Sequence, residues 1–145
     1  MFKHLLLPTD GSKLSEAAIR KGIEFAKGNH ARVTGLSVIP QFHVFTYHTE
    51  MLEDTREQYA KDSQAHAEQY LKVIETQARA AGVPCDTVTQ TSDHPYEAII
   101  KTARETGCDL IMMASHGRKG VQAALIGSET QKVLTHCEVP VLVYR

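Results

Sequence analysis

The chain has no tryptophan, three cysteines and five prolines, and aromatic residues fill 6% of its 145 positions. Cys85, Cys108 and Cys137 are odd in number, far apart and without a CxxC pair. Neither a disulfide framework nor a thiol-redox motif is expected, and the three read as buried, reduced thiols. No charge of one sign prevails: 16 Lys+Arg meet 17 Asp+Glu for a formal net charge of −1, so no broad basic surface for nucleic acid is expected. No apolar run approaches the ~18 residues of a membrane span. The start, Met1 to Asp10, carries an apolar stretch too short for a signal peptide. The expectation is a cytoplasmic protein that engages neither membrane nor nucleic acid. The phosphate fingerprints GxxxxGK[ST] and GxGxxG are both missing. Of the eight histidines, none pair as HxxxH on a helix or join cysteines at zinc spacing, so no metal site is expected.

What is present is an ordinary globular composition, 42% apolar and 23% charged, in a length that suits a single domain over residues 1–145. Short apolar runs alternate with helical patterns. Strands are expected at Lys3 to Leu7, Arg32 to Ile39, Cys85 to Thr91, Asp109 to Ala114 and Val139 to Val143. Ser12 is placed to cap a helix running to about Lys27, ended by Gly28-Asn29. After Pro40 the aromatic stretch from Gln41 to His48 reads as an irregular loop. A long helix then spans about Glu50 to Ala81. Its second half has an apolar face of Ala67, Tyr70, Leu71, Ile74, Ala78 and Ala81, and its polar first half is expected to project into solvent. Pro95 opens another helix that Gly107 ends. A glycine-containing loop from Ser115 to Ile126 leads through Gly127 into a last helix, with Ser128 and Gln131 spaced as a capping box.

Strands alternating with helices imply an α/β fold with a parallel sheet and helices on both faces. The winding must then reverse once, and ligands bind in the crevice this opens at the carboxyl ends of the strands. If the first and fourth strands flank the reversal, the loops 8–12 and 115–128 line the crevice. Gly117, Gly127 and Ser128 suit a phosphate, because glycine lets backbone N–H groups approach and a helix start aims further N–H groups at an anion. Arg118 and Lys119 would add charge. Equally, Ser128 serves as a plain helix cap. Asp10 suits a ribose hydroxyl or a helix cap. A phosphoacceptor site is a poor fit, since it needs paired acids and Asp10 stands alone. His116 faces a ligand or is an ordinary loop residue. His43 and His48 lie in the irregular loop without metal-ligand spacing. No general base stands near the phosphate loop, so efficient hydrolysis is not expected.

The blocks Leu5-Leu6-Leu7-Pro8-Thr9-Asp10-Gly11-Ser12, Asp109 to Gly117, Gly127-Ser128 and Val139 to Val143 resemble the universal stress protein family, over nearly the whole chain. Nucleotide-binding members carry G-x2-G-x9-G-[ST]. The matching positions here are Ala114, Gly117, Gly127 and Ser128, with the nine-residue spacer kept and the first glycine replaced by alanine. The resemblance implies a Rossmann-like five-stranded sheet of order 3-2-1-4-5, a homodimer, a cytoplasmic location and a role in stress survival. It implies ATP or AMP as ligand, with Mg²⁺ carried by the phosphates of ATP. Asp10 would hold the ribose and the backbone at Val38 would face adenine. Pro8, Thr9, Met113 and Ala114 would line base and sugar. Gly117, Gly127 and Ser128 would hold phosphates, with His116, Glu129 and Thr130 beside them. In that strand order the apolar C-terminal strand is an edge, where a second copy would pair. The reading is a nucleotide-binding regulator rather than an enzyme, at most a slow ATPase. The alternative is a nucleotide-independent dimeric module that docks an unknown protein partner.

Overall fold

Three consecutive leucines are buried together only in a strand covered on both faces. In the computed structural model, which describes residues 1–43, 49–117 and 126–145, Leu5, Leu6 and Leu7 are all 0% exposed. They lie in β1 (His4–Thr9), the central strand of a parallel five-stranded sheet of order β3-β2-β1-β4-β5. The other strands are β2 (Arg32–Ile39), β3 (Cys85–Thr91), β4 (Leu110–Ala114) and β5 (Val141–Tyr144). Among the described residues the helices are α1 (Lys13–Gly28), α2 (Thr49–Ala81), α3 (Pro95–Thr106) and α4 (Ser128–His136). The expected Rossmann-like architecture and strand order are both observed.

Strand alternation sorts the core into two layers. Leu5, Leu7, Leu110 and Met112 pack with Ile19 and Ile23 of α1 and Leu71, Ile74 and Ala78 of α2. Leu6, Ile111 and Met113 pack on the opposite face with Ile99 and Ala103 of α3 and Val133 of α4. Fully burying one such large side chain contributes about 1.5–3 kcal/mol, so these clusters carry most of the favourable energy. Gly35 lets α2 settle close to β2: a β-carbon there would lie 2.8 Å from Ile74 Cδ1. From Thr55 to His66 α2 is exposed at most positions, as its polar sequence predicts. Of the aromatic stretch after Pro40, residues 44–48 lie outside the described residues.

The strand ends differ from the sequence expectation for local reasons. β1 continues through Pro8 to Thr9. Past Leu6 its partner among the described residues is β2 alone, so this stretch behaves as an edge, where a missing N–H is tolerated. β4 begins at Leu110 because Asp109 is used differently. Its two carboxylate oxygens accept from the backbone N–H groups of Lys3 (2.9 Å) and His4 (3.0 Å). Burial pushes this carboxyl up, but the backbone hydrogen bonds from Lys3 and His4 help outweigh it and hold Asp109 below the usual carboxylate value. β5 begins at Val141 because Pro140 has no N–H; its carbonyl still accepts from Ile111 N at 2.9 Å.

His4 sits at the amino end of the sheet and is 6% exposed. Its Nε2 is 2.7 Å from Thr34 Oγ1, while Nδ1 has no hydrogen-bond partner among the described residues. Burial, followed by the nearby Arg32 cation, lowers its pKa against the opposing pull of Asp109 and Asp86. The unfolded chain takes up this proton near pH ~6.5 and the folded chain resists it. Stability is therefore complete above that value and falls as pH drops through it toward the depressed folded value. His4→Phe keeps a ring and removes the titrating nitrogens. Its urea midpoint should fall less than the parent's between about pH 7.5 and about pH 5.5. An unchanged pH slope would place the acid sensitivity elsewhere.

Candidate functional site

β1 and β4 are paired only at Leu5–Leu110 and Leu6–Ile111. β1 follows β2 as far as Thr9–Ser37, and β4 follows β5 as far as Ala114–Tyr144. The two central strands thus part toward their carboxyl ends. The chain leaves β1 for α1 on one face, and α4 packs on the other. This is the winding reversal that the sequence implies, at the carboxyl ends of the two central strands. β2 outruns β1, so Val38 and Ile39 pair with Gln90 and Thr91 of β3 past the end of β1. Val38 is half-buried and packs on the same cluster as Met113. Pro8 is half-buried at the end of β1.

The loop after β1 is held by its own side chains. Thr9 Oγ1 accepts from Gly11 N at 3.1 Å and lies 2.9 Å from Ser15 Oγ. Asp10 Oδ1 accepts from Ser12 N at 2.9 Å. The cap of α1 is Ser12, whose Oγ accepts from Ser15 N at 3.2 Å, so Asp10 is not the helix cap. Gly11 has a φ of +76°, a conformation that glycine adopts without strain.

Across the crevice, α4 is pinned to the end of β4. Ser115 N donates to Tyr144 O at 2.7 Å, and Gly127 N donates to Ser115 O at 2.6 Å. The buried Thr130 hydroxyl donates to Ala114 O at 3.0 Å. His116 is half-buried, with Nδ1 2.9 Å from Ser115 Oγ. The exposed Gly117 faces Asp10: a β-carbon on it would lie 2.5 Å from Asp10 Oδ2. Residues far apart in the sequence, Asp10 and Gly117, are thereby brought into one place. Arg118 and Lys119 lie outside the described residues.

The capping box does not form. Gly127, with φ −68° and ψ 158°, is the N-cap, and Ser128 is the first helical residue. Gln131 Nε2 donates instead to Ile126 O at 3.2 Å. The first bond of the helix runs from Gln131 N to Gly127 O, so the N–H groups of Ser128, Glu129 and Thr130 have no partner within α4. The N-cap is a glycine without a side chain to cap this end, and the end carries the partial positive charge of a helix start. Two side chains assigned to the site by sequence have structural duties. Glu129 Oε2 accepts from Tyr96 N at 3.0 Å, at the start of α3, and Oε1 is 3.3 Å from Lys132 Nζ. Thr130 is the clamp onto Ala114. Ala114 lies in a strand without positive φ, so no left-handed backbone calls for glycine there. Sequence reading missed Ser15 and Ser115, small polar residues without a motif. It counted Tyr70 as core packing, whereas its ring covers Gly11.

Among the described residues no three His, Cys, Asp or Glu side chains gather as metal ligands. His43 Nε2 pairs with Asp93 Oδ2 at 2.5 Å, and His48 lies outside the described residues. Of the free cysteines Cys108 is buried, while Cys85 and Cys137 are half-buried. Burial pushes the Cys85 thiol up to about 11 and raises Cys108 too, against thiolate chemistry. No helix among the described residues is long and apolar enough to cross a membrane.

The sequence profile of the universal stress protein family matches residues 1–145, and the chain belongs to that family. A Staphylococcus haemolyticus protein named for the same family is 32% identical over an alignment of 146 residues, covering 99% of this chain and 85% of the relative. The solved structure of the hypothetical protein MJ0577 superposes with a TM-score of 0.84 at 27% identity, covering 99% of this chain and 96% of that one. Two more distant structures share the fold. A universal stress protein in complex with cAMP has a TM-score of 0.72 at 20% identity, covering 99% and 97% of the two chains. One from Archaeoglobus fulgidus in complex with dAMP has a TM-score of 0.69 at 15% identity, covering 100% and 98%.

The cap geometry separates two hydroxyls two residues apart. Ser128→Ala should leave stability within about 0.5 kcal/mol, as for a surface change that removes no cap. Thr130→Val, which takes the donor from a buried carbonyl, should cost about 1–3 kcal/mol. Urea unfolding of both variants measures this, and a reversed order would mean that Ser128 caps α4.

Proposed function

We propose that this protein binds an adenine nucleotide, ATP or AMP, in the crevice between β1 and β4 and acts as a cytoplasmic regulator in the stress response rather than as an enzyme. The observation that carries this reading is the meeting of Asp10 with Gly117 near the start of α4, whose N-cap is Gly127. A carboxylate there accepts from ribose hydroxyls. Glycine lets the phosphates approach the backbone, and the N–H groups of Ser128, Glu129 and Thr130 supply donors for an anion. Pro8, Thr9, Met113, Ala114 and the backbone at Val38 lie at the strand ends that would frame the base and sugar. The Thr9 hydroxyl is engaged within its own loop, so Thr9 contributes shape and backbone. His116 stands beside the phosphate position. Mg²⁺ would come with ATP, held by the phosphates. The cAMP and dAMP complexes of two fold relatives support an adenine ligand.

Calorimetry on nucleotide-stripped protein tests this. ATP and AMP should both bind, and Asp10→Ala should weaken both by similar factors, since they share the ribose. Gly117→Val should weaken ATP more than AMP, because its side chain would enter the path of the phosphates and displace Asp10. A parent chain that binds neither nucleotide sinks the reading, and an Asp10→Ala variant that spares AMP sinks the ribose assignment. Turnover of ATP with Mg²⁺ would favour the slow-ATPase alternative.

A second reading, a nucleotide-independent dimer that docks a partner protein, is favoured by the free edge of the sheet. Every residue of β5 is half-exposed, and β5 has a strand neighbour on one side. The carbonyls of Pro140 and Tyr144 point to β4. By alternation Val141 and Val143 turn their N–H and C=O groups outward. A second copy pairing antiparallel about a two-fold axis would satisfy them and close the assembly. The parent chain should sediment at twice the chain mass. Val143→Pro deletes an outward donor without removing a bond to β4 and should shift it toward monomer. A monomeric parent at about 50 μM, a concentration well above a stable dimer's dissociation constant, would exclude the dimer.

A further inference from the structure

Tyr70 belongs to α2, which contributes no residue to the candidate site by sequence motif. Its ring lies against the backbone of Gly11, the residue after Asp10. A β-carbon on Gly11 would fall 2.5 Å from Tyr70 Cζ and 2.7 Å from Cδ1. Gly11 thus meets two demands at once, a positive φ and a ring in the place of its side chain. The ring is backed in turn by His66 one helical turn away, near-parallel at 13° with centroids 6.4 Å apart. α2 is itself anchored through Ile74 over Gly35 and through Leu71 in the core. The ring is therefore mounted on a fixed support.

The loop beneath the ring has short internal bonds: Gly11 N to Thr9 Oγ1 and Ser12 N to Asp10 Oδ1. They leave Asp10 Oδ2 aimed at Gly117. Glycine in a loop would otherwise sample many conformations. We infer that Tyr70 is a positioning residue for Asp10: by roofing Gly11 it holds the 9–12 loop in the conformation that presents the carboxylate to the crevice. The inference rests on the nucleotide-binding reading for its effect on affinity, and on the loop geometry alone for its effect on order.

The test uses Tyr70→Ala and Tyr70→Phe in the full chain. Phe keeps the ring atoms that face Gly11. In nucleotide-free protein, amide exchange at Gly11 and Ser12 should quicken about tenfold in Tyr70→Ala, as a local opening without loss of the core. It should stay near the parent rate in Tyr70→Phe. AMP affinity should drop about tenfold in Tyr70→Ala, since binding must then order the loop, and return in Tyr70→Phe. Combined with Asp10→Ala, the Tyr70→Ala effect on AMP should largely vanish, because the ring acts through that carboxylate. Unchanged exchange at Gly11 and Ser12 in Tyr70→Ala overturns the inference, whatever the affinity. A parent that exchanges slowly there and binds no nucleotide overturns the nucleotide reading and leaves Tyr70 a clamp on the loop. An affinity loss that persists in the Asp10→Ala background would assign Tyr70 a direct contact instead.

Discussion

β1 and β4 hold each other at Leu5–Leu110 and Leu6–Ile111 and then separate. A parallel strand pair normally shares its ladder along its length, so backbone groups beyond the split need other partners. The loops provide them. Thr9, Asp10 and Ser12 turn their oxygens onto nearby N–H groups on the β1 side. Ser115 and Thr130 tie the β4 side to β5 and α4. α1 and α4 pack on opposite faces of the sheet on either side of this split. The crevice is thus a by-product of covering both faces of a sheet whose central strand is leucine on both sides.

The hydroxyls that make the loops look polar in sequence are mostly occupied in holding them. Thr9, Ser12, Ser115 and Thr130 all bond within the scaffold. Among the described residues, a carboxylate, a bare glycine and the start of a helix come together at the crevice. On the proposed nucleotide-binding reading, such a surface would recognise its ligand through main-chain donors and the Asp10 carboxylate, which would make shape more important than side-chain identity. This explains why alanine at 114 is compatible with the architecture. Its carbonyl serves as the anchor for Thr130, and its backbone conformation does not call for glycine.

The alternation of apolar runs and helical faces is enough to read all the strands and a sheet covered on both faces, while the strand order, and with it the place of the reversal, follows from the family resemblance. Strand ends were less legible. Pro8 reads as a terminator until one knows that β1 is an edge there, and Asp109 reads as strand until its carboxylate is seen holding Lys3 and His4. Local motifs were the least reliable guide. Ser128 and Gln131 have capping-box spacing, yet the helix starts one residue too early for it. The pairing of Asp10 with Gly117 was legible only through the family motif, since no periodicity links two loops on different strands. Tyr70 had the spacing of a packing residue and is one; what sequence could not show is that it packs on a loop glycine.

Glu129 gives the molecule a property that belongs to neither helix alone. α3 begins without a side-chain cap of its own, and the carboxylate that accepts from Tyr96 N comes from α4, 33 residues away. The amino end of α3 is therefore only as secure as the first turn of α4. That same turn is tied by Thr130 to the last residue of β4 and by Gly127 to Ser115. An anion drawn to the start of α4 would brace α3 through Glu129, so occupancy of the crevice would be written into the rigidity of the neighbouring helix.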